Sequence, residues 1–128
     1  DKEYYASKND SQLFDLDVFL CETILQFRLI SSYVIKTEYV NKVKEFSGNF
    51  AHLHVVFETL SNAKKFLKIN NKLIGSFINN SDFDHKVNFS DVYVKEFFLL
   101  FNKYLSTTLS RKSIIEIENI MLKKYLVV

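Results

Sequence analysis

A chain of 128 residues with no proline and only two glycines has almost nothing in it that can stop a helix. Proline removes a backbone donor and glycine frees the backbone, so their near absence leaves long stretches able to propagate α-helix wherever apolar residues recur at helical spacing. Hydrophobic residues make up 48% of the chain and aromatics 16%, enough to supply one core at a length that hides roughly two-thirds of its unfolded surface. The expected fold class is therefore all-α, a compact helical bundle. Its expected organisation is a flexible N-terminal arm over residues 1–12 and a single helical domain over 13–128.

The apolar pattern places the helices. A first helix is predicted from Asp15 to Lys36, with Leu16, Leu20, Ile24, Phe27 and Val34 on one face and Asp15 and Asp17 at the positive end of its dipole. Val18, Cys21, Leu25 and Leu29 form a second apolar stripe almost opposite the first. A helix apolar on two sides is either central or half-covered by a partner. Val40, Val43, Phe46, Phe50, Leu53 and Phe57 continue the pattern through a second helical region, broken at Ser47-Gly48-Asn49, where glycine permits a left-handed stop and a serine or asparagine can cap the restart. A third helix is predicted over about 62–79, capped by Ser61 and burying Phe66, Leu73 and Phe77. A loop with an irregular segment follows. A fourth, over about 91–109, turns Val94, Phe97, Phe98, Phe101, Tyr104 and Leu105 inward. The last begins near Ser110 or Ser113 and buries Ile114, Ile117, Met121 and Tyr125. The core is expected around Phe27, Phe46, Phe50, Phe66, Phe77, Phe97 and Phe101.

Charge and chemistry exclude more than they suggest. Seventeen basic against fifteen acidic residues give +2, and no basic run is longer than the pairs Lys64-Lys65 and Lys123-Lys124. A phosphate backbone thus has little to recognise, and no nucleic-acid partner is expected. His52 and His54, two apart on a helix, diverge by about 200° and cannot share a metal. Asp82, Asp84 and His85 lack the glycine and terminal glutamate of a calcium loop. Cys21 reads as a packed thiol in an apolar stripe. No catalytic residue, metal or cofactor is expected, and the chain reads as a non-enzyme. Sequons at Asn9, Asn79 and Asn88 point weakly to secretion, whereas one unpaired cysteine points to a reducing compartment. No run approaches the ~20 apolar residues of a membrane span, so no membrane anchor is expected. Val92 and Leu99, on the back of the fourth helix, join Val18, Cys21, Leu25 and Leu29 as the expected dimer or partner interface.

Five segments, in order, carry a resemblance. Glu22-Thr23-Ile24-Leu25-Gln26-Phe27-Arg28, with its closing aromatic-Arg pair, resembles the first-helix pattern of the poxvirus Bcl-2-like immunomodulatory proteins. Tyr39 to Phe46 is similar to their second helix, Lys72-Leu73-Ile74-Gly75 to the hydrophobic-Ile-Gly step of their central helix, and Phe97 to Phe101 with Ile117 to Val128 to their last two. The resemblance implies a Bcl-2-like bundle with a shortened middle section and a virulence factor in the host cytoplasm. It would pair as a homodimer and bind host signalling proteins to inhibit innate, NF-κB-type responses. It also implies an alternative, an anti-apoptotic protein that sequesters amphipathic pro-apoptotic helices in a groove near Phe46, Phe50, Leu73 and Phe77. Members of that kind follow the central glycine with arginine, where this chain has Ser76. A structural or assembly bundle of unrelated origin is the remaining alternative.

Overall fold

The computed structural model describes residues 11–28, 32–69 and 89–125. Its elements run β1 Ser11–Leu13, α1 Leu16–Thr23, a 3-10 turn Ile24–Arg28, α2 Thr37–Val40, α3 Ala51–Asn62, β2 Phe66–Lys68, α4 Phe89–Leu105 and α5 Arg111–Tyr125. The described chain is mostly helical. That agrees with the expected all-α class, to which the structure adds one short antiparallel ladder of β1 on β2, with Ser11 opposite Lys68 and Leu13 opposite Phe66. Of the expected N-terminal arm, residues 1–10 lie outside the described residues, and Ser11 and Gln12 belong to β1.

α1 starts where expected, the Asp15 carboxylate accepting the Asp17 and Val18 N–H groups at 2.8 and 3.4 Å. It does not continue to Lys36. The Thr23 hydroxyl donates back to the Phe19 carbonyl at 2.6 Å, the helix tightens into the 3-10 turn, and the Ser32 hydroxyl donates to the Gln26 carbonyl, an acceptor that a continuing helix would have satisfied from its own backbone. Val34, expected to be buried, is 99% exposed.

α2 is one turn long, and the chain unwinds from Val43 to Phe50. Phe46 is consequently 58% exposed and is no part of the core. Gly48 sits at φ +84° and turns the chain back into α3, as the Ser47-Gly48-Asn49 break predicts. Phe50, at the start of α3, receives no side-chain cap from its own segment; its N–H donates to Glu96 Oε1 of α4 at 3.2 Å. Ser61 and Asn62 close α3 instead of opening a further helix, both donating to the Glu58 carbonyl at 2.7 and 2.9 Å. Ala63 is extended and Phe66–Lys68 is a strand, so a helix beginning near Asn62 is excluded. Residues 70–79 of that expected helix lie outside the described residues, as do 80–88.

α4 begins at Phe89 and ends at Leu105, four residues earlier than its apolar pattern implies. Ser110 caps α5 as expected, its hydroxyl accepting the Ser113 N–H at 3.2 Å. α3 packs on α4, and α1 packs on α5, which also touches α4. Leu20, Ile24, Leu53, Phe57, Tyr93, Phe97, Phe101, Leu105, Ile117 and Met121 form the fully buried centre. There Phe57 meets Phe97 and Phe101 edge-on at 5.3 and 6.0 Å, while Phe97 and Phe101 stack at 5.6 Å. Among the expected core residues Phe27, Phe50, Phe66, Phe97 and Phe101 are buried, and Phe77 lies outside the described residues.

Candidate functional site

A cleft of about 1580 Å³ lies between the 3-10 turn, α2, the second half of α3 and β2. Phe19, Phe27, Val56, Leu60 and Phe66 lie along its floor. The rings satisfy one another: Phe19 stacks on Phe66 at 4.9 Å, and Phe27 meets Tyr33 edge-on at 5.9 Å. Burial pushes the Tyr33 hydroxyl up to about 12, so it stays a neutral donor. Lys36, Lys42, Lys44, Lys64, Lys65 and Lys68 surround the cleft, with Glu22 and Glu58 as its acids. Lys68 and Glu22 pair at 3.1 Å, and the Lys44 N–H donates to Glu58 Oε2 at 3.2 Å.

A second, shallower cleft of about 730 Å³ lies along α4, lined by its Val92, Leu99, Leu100 and Lys103, by Glu45 and Gly48 of the segment before α3, and by His54 of α3. The hydrogen bond from Lys103 holds the Glu45 carboxyl below its ordinary value, and the same bond raises the ammonium. His54 shares a 2.9 Å hydrogen bond with the Tyr104 hydroxyl. His52 turns the other way, its Nε2–H donating to the Phe27 carbonyl at 3.1 Å, so the two imidazoles diverge as their spacing requires. Desolvation lowers the His52 pKa, partly opposed by that carbonyl and by Glu96.

The expected interface residues fall on separate surfaces. Val18 and Leu25 are 44% and 37% exposed. Cys21 is half-buried, and desolvation, with Glu116 of α5 next, raises its thiol, which makes it a poor nucleophile. Leu29 lies outside the described residues. Leu99 is 69% exposed and Val92 half-buried in the α3–α4 cleft, whose lining includes no residue of α1. Of the expected groove residues, Phe50 is buried edge-on to Tyr93 at 5.1 Å and Phe46 is exposed outside the core; neither lines the large cleft, and Leu73 and Phe77 lie outside the described residues. His85 and the three sequon asparagines lie there too.

The lysine rim is the feature that sequence reasoning missed. Lys64-Lys65 is visible as a pair, but its companions come from residues 36 to 44 and from β2, and only the fold brings them together. Among the described residues no group of three or more His, Cys, Asp or Glu side chains could hold a metal, and no helix is long and apolar enough to cross a membrane. Comparison with protein families, with curated proteins and with solved structures finds no match.

Proposed function

We propose that this chain is a non-enzymatic binding domain that acts by covering an interaction surface on a partner protein. The observation that carries this reading is the apolar surface left outside a core that is otherwise well filled: Leu99 at 69% and Phe46 at 58% exposed, with Ile115, Val18 and Leu122 between 40% and 47%. Large side chains left exposed offer apolar area for a partner to cover, and where they gather into one patch they mark an interface. The mechanism is occlusion, with a few apolar anchors supplying most of the energy. The setting comes from the resemblance: a Bcl-2-like viral protein that binds host signalling components in the cytoplasm and damps NF-κB-type signalling.

A reporter of NF-κB-dependent transcription in cells expressing the chain tests this. Wild type lowers the reporter response, and Leu99→Asp, which alters an exposed side chain, folds normally and loses the effect. An unchanged response with wild type, or full potency in the variant, would sink the reading.

The open cleft favours a second reading, capture of an amphipathic pro-apoptotic helix. Ser76 counts against it, since that position offers no positive charge to a ligand aspartate. Calorimetric titration with a panel of such host peptides decides between them; submicromolar binding would promote this second reading.

A further inference from the structure

The lysine-rimmed cleft has a chemistry of its own. Among the described residues, six lysines against two glutamates leave a surplus of four positive charges around one opening, twice the net charge of the whole chain. The cleft lining contains no arginine, and lysine, a compact point charge, lacks the planar fork that grips phosphate through two bonds. Its deepest rings, Phe27 and Phe66, are 4% and 6% exposed and already packed against Tyr33 and Phe19, so they offer no platform on which bases could stack. Apolar floor and cationic rim together match a polypeptide better than a nucleic acid.

A second observation is independent of charge. Thr59 of α3 lines the cleft and is 9% exposed, yet its hydroxyl has no hydrogen-bond partner among the described residues. Threonine in a helix ordinarily bonds back to the carbonyl four residues earlier, and a buried hydroxyl without a partner is uncommon. The oxygen is closed off in the unbound domain, and a turn of the side chain toward the cleft would let a bound backbone supply that partner.

We propose that this cleft binds an acidic segment of a partner protein, its apolar residues set against Leu60 and Phe66, its carboxylates on the lysines, and a backbone or side-chain group on the Thr59 hydroxyl. This rests on the reading of the chain as a protein-binding domain and names the class of partner.

Fluorescence anisotropy with a labelled synthetic peptide of repeated Leu-Glu-Glu-Leu is the test, with the Leu-Lys-Lys-Leu counterpart, an oligouridine and phosphatidylserine vesicles as competing probes. The acidic peptide binds, more weakly as salt rises, and at least about tenfold tighter than the basic one. The pair Lys36→Glu and Lys64→Glu removes that preference, whereas Lys112→Glu on α5 does not. Thr59→Val weakens peptide binding while the free domain melts no lower. Leu99→Asp leaves peptide binding intact, so loss of reporter activity in that variant and loss of peptide binding in the lysine variant report on the two proposals separately. Circular dichroism confirms that each variant folds. The proposal is overturned by no binding of the acidic peptide, by equal binding of both peptides, by an unchanged lysine pair, or by tighter binding of the oligouridine or the vesicles.

Discussion

Two residues show how single groups set the geometry around the clefts. Gly48 carries φ +84°, and a Cβ built there would collide with the Glu96 carboxylate, which accepts the Phe50 N–H that opens α3. Alanine at Gly48 must therefore adopt a left-handed backbone and displace a helix cap together. Gly48→Ala is expected to destabilise by about 1–3 kcal/mol, read as a lower urea midpoint at unchanged slope. His52 links α3 to the 3-10 turn through the Phe27 carbonyl, and burial keeps its pKa below the ordinary 6.5. A histidine with a depressed folded-state pKa binds its proton more readily when unfolded, so its contribution is intact above pH 6.5 and is lost as pH falls from there toward the folded value. Urea titrations stepped downward from neutral pH are expected to show falling stability in that window in wild type and a flatter profile in His52→Gln. Equal slopes would show that the imidazole is not held neutral. Glu45, also depressed but on the surface, acts only in the lower carboxylate range and does not enter this window.

At the scale of elements, legibility follows how a segment ends. α4 and α5 were readable because their apolar spacing is regular and Ser110 caps the second with its own hydroxyl. The restart of α3 was readable because Gly48 is one of two glycines. α1 was overextended because the chain tightens into a 3-10 turn at Ile24 and the Ser32 side chain takes the Gln26 carbonyl, and serine is not a helix breaker by type. The same ambiguity misplaced Ser61, which can cap the start of a helix or bond the last carbonyls of one. Phe66–Lys68 became a strand because β1 is there to pair with it, a partner more than fifty residues away that no local pattern announces. The site suffered more than the fold, since only folding brings the six cleft lysines together. The register of α4 was nearly right: Phe97, Phe101 and Leu105 point inward, with Tyr93 and Leu100 sharing the burial expected of Phe98 and Tyr104. Phe101, fully buried against Phe57 and Phe97, is expected to cost about 3–5 kcal/mol when cut to alanine, measured by chemical denaturation. A cost below about 1 kcal/mol would mean that α4 faces its neighbours differently.

At the scale of the whole molecule, the apolar surface divides in two, and so do its possible uses. α1 packs on α5 and α4 packs on α3, which sets Val18 and Leu25 apart from the Val92 and Leu99 cleft, although the sequence alone joins them as one interface. A face of one helix can meet its own copy about a two-fold axis, each residue facing its counterpart, and such self-complementary contacts are the commonest basis of soluble dimers. The surface of α1 and the 3-10 turn is the better candidate for self-association: Val18 of α1 and Leu25 of the turn are exposed, and the Cys21 thiol, between them in sequence, is kept protonated and uncharged by its burial. The α3–α4 cleft, carrying Glu45 and Lys103 beside Leu99, is left for a different protein. Leu25→Glu puts a charge on each side of the axis, where like charges meet, and is expected to give a folded monomer from a wild-type dimer. Leu99→Asp is expected to leave the dimer intact. Sedimentation equilibrium across a concentration series separates the outcomes. A wild type that is monomeric at high micromolar concentration removes the α1 dimer altogether, and a dimer broken by Leu99→Asp but not by Leu25→Glu moves the axis to α4 and assigns the α1 face to the partner instead.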